Sequence, residues 1–225
     1  MTIRSREIIE NLAEVRGRVE RAAVAANRPP SEVNLIVVTK TFPTSDLEIL
    51  YELGLRNFGE NRDQEGAPKA GSLPSDIHWH FQGQIQSKKL RSIASWAQTI
   101  HSLDQYSHAI KLNEIATLPI EVFVQVDLQT PASPDRGGVP ILGLDDLLAS
   151  LQSLTNLKVM GLMAVAPLGE EPQLAFSRLS QIHSQVRASY PESRYLSCGM
   201  SGDFEAAIAA GATHIRVGSS ILGSR

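Results

Sequence analysis

Lys40 ends an apolar, β-branched run, Leu35-Ile36-Val37-Val38, after the intervening Thr39. An amine delivered to the end of a buried strand can stand in a partly dry site, where desolvation lowers its pKa and makes it a nucleophile toward an aldehyde. A strand-end lysine that simply reaches solvent has the same local sequence. Far along the chain, two more strand-like runs end in Gly and Ser. Leu196-Ser197-Cys198-Gly199-Met200-Ser201-Gly202-Asp203 leads into a helix-forming stretch, and His214-Ile215-Arg216-Val217 leads into Gly218-Ser219-Ser220. Backbone N–H groups and short hydroxyls at such turns converge on an anion. Two of them side by side make a phosphate cup.

Arg216 sits two residues before Gly218 and inside a strand, so its guanidinium can face the phosphate turns. Beside a pyridine ring an arginine donates to the ring nitrogen and, being permanently charged, disfavours protonation there, which leaves the ring a weak electron sink. A plain phosphate clamp and a structural ion pair are the competing roles. An amine for an aldehyde and a cup for a phosphate, at opposite ends of one ligand, describe pyridoxal phosphate. A Schiff-base aldolase acting on a phosphorylated sugar would need the same amine and cup.

Other residues carry weaker signals. His78 and His80 lie two apart on a strand and share a face, a spacing that suits either a metal or a hydrogen-bonding role inside the barrel. No carboxylate or cysteine pattern completes a metal site. Cys198, on a buried strand, reads as a small apolar filler before it reads as a catalytic thiol. Asn61 can cap the helix that follows it or reach a ligand. The run Gln86-Ser87-Lys88-Lys89 with Arg91 reads as a solvated helix face or an anion contact at the rim.

The elements that must position these groups alternate along the chain. Residues 5–26 place Ile8, Leu12, Val15, Val19, Ala22 and Ala26 at steps of four and three, which predicts an amphipathic helix about 33 Å long, ended by Arg28-Pro29-Pro30. Strands are expected at 32–38, 56–60, 78–83, 99–103, 121–128, 158–166, 195–200 and 214–217. Helical patterns lie between them, including 46–53, 105–116, 144–154 and 173–189, with Gly54 and Gly211 where C′ glycines belong. Eight strand–helix alternations favour a closed (β/α)₈ TIM barrel with an extra N-terminal helix. An open doubly wound sheet is the rival. The Pro/Gly-rich loops 129–140 and 167–172 follow strands and so border the active face of such a barrel.

The 225 residues, 42% hydrophobic, suffice for one large core, so residues 1–225 are expected to form a single domain. A net charge of −3 spread along the chain gives no electrostatic footprint for nucleic acid or an anionic membrane. The single cysteine fits a reducing compartment, and no apolar run approaches spanning length, so a cytoplasmic location is expected.

Together these stretches resemble the pyridoxal phosphate homeostasis protein family over almost the whole chain. The resemblance is carried by Val37-Val38-Thr39-Lys40, by Phe58-Gly59-Glu60-Asn61-Arg62-Asp63-Gln64-Glu65, and by His78-Trp79-His80-Phe81-Gln82-Gly83 with Gln86-Ser87-Lys88. Gly161-Leu162-Met163, Ser201-Gly202-Asp203 and Arg216-Val217-Gly218 complete it. The resemblance implies a fold-type III barrel like the N-terminal domain of alanine racemase, with pyridoxal phosphate bound as an aldimine to Lys40. It implies Ser201, Gly202, Gly218 and Ser219 at the phosphate, Arg216 at the ring nitrogen and Asn61 near the ring. It further implies a regulator or carrier in vitamin B6 and amino acid homeostasis, with the cofactor and amino acids as partners and no robust catalysis. A racemase or lyase using the same cofactor is the alternative. A racemase needs a second acid–base group on the far face of the ring, and none of Tyr51, Tyr106, Tyr190 and Tyr195 lies in a segment that would extend over a neighbouring barrel. Cys198, Gln84, Lys89, Arg136 and Leu222 depart from the family's usual residues without removing an expected cofactor contact.

Overall fold

Eight parallel strands close on themselves inside a ring of helices in the computed structural model, which describes residues 2–129 and 137–224. In chain order the elements are α1 (Ile3–Ala25), β1 (Asn34–Val38), α2 (Thr44–Glu52), β2 (Asn57–Glu60), α3 (Asp63–Ser72), β3 (His78–Phe81), α4 (Leu90–Trp96), β4 (Thr99–Leu103) and α5 (Tyr106–Ile115). There follow β5 (Ile120–Asp127), a two-residue β6 (Val139–Pro140), α6 (Leu144–Leu151), β7 (Leu157–Met163), α7 (Pro172–Ser189), β8 (Tyr195–Ser197), α8 (Phe204–Ala209), β9 (His214–Val217) and α9 (Ser219–Leu222). The sheet runs β4-β3-β2-β1-β9-β8-β7-β5, and pairing of β4 with β5, Thr99 opposite Glu121 and Ile100 opposite Val122, closes it. The expected closed barrel is the fold found, and the open sheet is excluded by that last pairing. β6 only flanks the end of β5.

The period of two along each strand sorts the core into two layers. Phe58, Trp79, Phe81, Ile100, Val122, Val124, Ile215 and Val217 pack outward with the helices in one apolar cluster. The inward positions are mixed. Phe123, Met160 and Met163 form a small apolar plug, and the rings of His80 and His101 stand beside it. Arg216, also inward, is 5% exposed.

Helix α1 earns its place by its buried stripe, Ile8, Leu12, Val15, Val19 and Ala23, and by ties to the last turns of the chain. Arg4 reaches the Leu222 carbonyl at 2.9 Å and Asp46 at 2.6 Å, and Asn11 Nδ2 reaches the Ile221 carbonyl at 3.1 Å. The α9 end is thereby pinned to the barrel wall. Several observed strands are shorter than expected; β3, for one, stops at Phe81 where the range 78–83 was expected. The strand expected over 195–200 stops at Ser197, because Gly199, at φ +91°, turns the chain away. The strand expected over 158–166 stops at Met163. Among the described residues no helix is long and apolar enough to cross a membrane. Residues 130–136 of the 129–140 loop, Arg136 included, lie outside the described residues.

Candidate functional site

The C-terminal ends of the strands open into a cavity of about 400 Å³. Its wall contains all seven residues expected at the cofactor: Lys40, Asn61, Ser201, Gly202, Arg216, Gly218 and Ser219. Val38, Gln82, Met163, Val165 and Met200 complete it. This is the face on which a (β/α)₈ barrel carries its chemistry, since loops there are free to vary over a rigid strand frame.

Lys40 lies two residues past the end of β1 and its side chain is exposed on the cavity wall, the solvent-reaching one of the two settings its strand left open. What is enclosed is the support beneath it. Thr39 Oγ1 donates to Glu60 Oε1 at 2.7 Å, and Lys69 Nζ, from α3, donates to the Thr39 carbonyl at 2.8 Å. On the other side Thr41 takes the left-handed conformation, φ +68°, rare for a β-branched residue and costing on the order of 1–3 kcal/mol. Its amide donates to Glu65 Oε2 at 2.6 Å, so α3 holds the backbone on both flanks of Lys40. Burial pushes the Glu60 carboxyl above its usual range, against hydrogen bonds from Lys69 and Thr39 that favour the anion.

Arg216 is held edge-on by Nη1 to Ser197 Oγ at 2.8 Å and by Nη2 to the Ala164 carbonyl at 3.1 Å. Burial lowers its pKa, yet a guanidinium starts so high that it stays charged. His80 and His101 lie deeper. His80 Nδ1 meets His101 Nε2 at 2.9 Å, and the expected hydrogen-bonding role inside the barrel is the one His80 takes. His78 Nε2 pairs with Thr99 Oγ1 at 2.7 Å. Among the described residues no group of three or more His, Cys, Asp or Glu side chains is placed to hold a metal.

The two glycine–serine turns meet through Ser201, whose Oγ accepts from the Gly218 amide at 3.3 Å and the Ser220 amide at 3.4 Å. A Cβ added at Gly202 would meet nothing within 4 Å, so the turn leaves open space on the cavity wall. Asn61 is not a helix cap; Arg62 holds that position and α3 begins without a side-chain cap. Instead Asn61 Oδ1 and Gln82 Nε2, on two residues that both line the cavity, are buried without a hydrogen-bond partner. Unpaired buried polar atoms are rare and costly, and here one acceptor and one donor of this kind border the same cavity. Cys198 is fully buried and burial pushes its thiol up to about 12, the setting of a filler. Of the basic run, Lys88 and Arg91 are exposed while Lys89 pairs with Asp63 at 3.4 Å.

The sequence reading gave no role to Gln82, although it stands in a quoted motif, nor to Glu60, Lys69, Ser197 or His101. Glu60 and Lys69 carried a signal of their own, a charge at the end of a short apolar strand and a lysine nine residues later, but only the packing of α3 on β2 joins them.

The sequence profile of the alanine racemase N-terminal domain family matches residues 7–225. The pyridoxal phosphate homeostasis protein of Mycobacterium leprae (strain TN) is 38% identical over 242 residues, covering 98% of this chain and 93% of that one. Its namesake in Escherichia coli (strain K12) is 35% identical over 229 residues, 97% of each chain. The structure of PipY of Synechococcus elongatus PCC7942 with pyridoxal phosphate bound superposes with a TM-score of 0.84 at 35% identity, over 96% of this chain and 100% of that one. A full-length match at this identity, on a barrel whose predicted residues meet in one cavity, places the chain in the pyridoxal phosphate homeostasis protein family.

Proposed function

We propose that this protein is a cytoplasmic carrier or regulator of pyridoxal phosphate, serving vitamin B6 and amino acid homeostasis, and that it holds the cofactor reversibly through Lys40. The residues present fit that group. The amine of Lys40, the buried guanidinium of Arg216 and the paired turns at Ser201-Gly202 and Gly218-Ser219 border one cavity, and the unpartnered Asn61 Oδ1 and Gln82 Nε2 offer it hydrogen bonds. When bound, the cofactor supplies an electrophilic aldehyde carbon and an electron-withdrawing ring.

Lys40 Nζ attaches to that carbon with loss of one water and releases it when another amine attacks. Ser201, Gly202 and Ser219 anchor the phosphate with backbone N–H groups and hydroxyls, and Gly218, whose amide donates to Ser201 Oγ, joins the two turns around it. Arg216 donates to the ring nitrogen and keeps it unprotonated, which limits the ring's capacity to stabilise a carbanion. The positions of the tyrosines support a carrier over a racemase. Tyr51 and Tyr190 are engaged with Asp76 and Asp145, Tyr195 rests against His214, Tyr106 opens α5, and none of the four lines the cavity.

The observation that carries this reading is the convergence of the seven residues on one wall. Purified protein given pyridoxal phosphate should turn yellow, and borohydride should fix the cofactor on the peptide holding Lys40. A label on another lysine, or one that persists in Lys40→Ala, would overturn the assignment. Sustained α-proton exchange of an amino acid in deuterated water, lost with Lys40, would make the protein a catalyst instead.

A further inference from the structure

Behind Arg216 the barrel interior holds a continuous line of polar side chains that runs to the opposite end of the strands. Arg216 Nη1 lies 2.8 Å from Ser197 Oγ, Ser197 Oγ 2.8 Å from His101 Nδ1, His101 Nε2 2.9 Å from His80 Nδ1, and His80 Nε2 3.1 Å from Asn57 Oδ1 at the start of β2. We infer that Ser197, His101 and His80 form a one-directional hydrogen-bond chain that positions Arg216 against the cofactor ring and fixes both imidazoles as neutral Nε2–H tautomers. This rests on the reading that Arg216 faces the ring nitrogen.

The direction follows from donor and acceptor capacity. A guanidinium only donates, so Ser197 Oγ accepts from Arg216 and has one proton of its own to give. Among the described residues the only other partner of that oxygen is His101 Nδ1, which must therefore be bare. A neutral His101 then carries its proton on Nε2 and donates to His80 Nδ1. His80 in turn carries its proton on Nε2 and donates to Asn57 Oδ1. Reversing the His101–Ser197 link would point two donors at Ser197 and leave its own hydroxyl proton without an acceptor among the described residues, and a neutral His101 passes that direction on to His80. Neutral rings are what the setting demands. His101 and His80 are 0% and 3% exposed, and burial, with the neighbouring histidines, pushes both well below the usual histidine range, Arg216 adding to the effect at His101.

The chain does two things for Arg216. Each donor in the series polarises the next, so Ser197 Oγ becomes a better acceptor for a charge that burial disfavours. With the Ala164 carbonyl on Nη2, it also fixes the guanidinium plane, leaving the remaining N–H groups for the cavity. Ser197, His101 and His80 are thus positioning residues, acting on the ligand only through Arg216.

The tautomers are readable in cofactor-free protein by ¹⁵N-histidine NMR. Both rings should be neutral Nε2–H species from pH 6 to 8, and a signal from an Nδ1–H ring or an imidazolium at either position would overturn the chain. Ser197→Ala should release His101 into a tautomer mixture and weaken pyridoxal phosphate binding about tenfold, the scale of a hydrogen bond to a charged group, while Ser197→Thr restores both. Affinity of the alanine variant within twofold of the parent would overturn the positioning role. A cofactor label found away from Lys40 would instead sink the site reading, and the tautomers of the parent protein would still decide the chain.

Discussion

Lys69 Nζ donates to the carbonyl oxygen of Thr39 at 2.8 Å, one residue ahead of Lys40. The same ammonium lies 2.5 Å from Glu60 Oε1, on a carboxylate that is 0% exposed. One buried pair therefore joins α3, the end of β2 and the end of β1, and sets the backbone from which Lys40 projects. The exposed amine gains its placement from a buried one.

Removing half of a buried ion pair leaves the other half uncompensated. Lys69→Met should destabilise the fold by about 3–5 kcal/mol, and adding Glu60→Leu should recover much of that loss. Urea unfolding of the two variants checks this. A single variant as stable as the parent would mean that the pair contributes nothing.

The parts of the fold that local pattern encodes were legible: the periodic stripe of α1, the β-branched run of β1, the glycines that end helices. The Gly-Ser turns were legible too, because few other roles need those residues at strand ends. What escaped was what only closure creates. Helix α3 hides its periodicity behind Gly66, Pro68 and Gly71, and Gly66 is there because the ring of Trp96 packs on it. His80 and His101 stand 21 residues apart on neighbouring strands, and His101 and Ser197 are 96 apart, so no spacing rule links them. The exposure of Lys40 stayed open between a partly dry site and solvent for a related reason. An apolar strand predicts the burial of its own residues, whereas the residue just past its end answers to the loops above it.

Lys40→Ala should abolish the borohydride-fixed label and leave the melting temperature nearly unchanged, since the side chain is exposed and is absent from the core. Mass spectrometry of the reduced protein, with a thermal melt alongside, separates the two effects. A large drop in melting temperature would show a structural role that the geometry does not contain.

Two glycines on the same face should behave differently. A methyl at Gly83 would collide with the Asn61 carbonyl oxygen, so Gly83→Ala should cost about 1–3 kcal/mol and displace Asn61. At Gly202 a methyl enters open space, so Gly202→Ala should fold like the parent while weakening pyridoxal phosphate binding about tenfold. Titration of the cofactor by fluorescence, beside a melt of each variant, reads the contrast. Equal melts would refute the packing argument, and unchanged affinity at Gly202 would remove that turn from the phosphate site.

Acid should unfold this barrel through its histidines. Burial lowers the pKa of His78, His80, His101, His183 and His214, in the last case to about 4. The unfolded chain takes up protons near pH 6.5 while the folded chain resists, so stability is full above about 6.5 and falls as the pH drops toward 4. His214 alone can account for up to about 3 kcal/mol across that window. Glu60 works the other way: burial raises its carboxyl, so its contribution is lost as the pH rises, and one such group opposes five histidines. Urea midpoints should therefore fall steadily between pH 7 and pH 5. A flat profile over that range would mean that the imidazoles are already protonated inside the fold, and would contradict the hydrogen-bond direction inferred for His101 and His80.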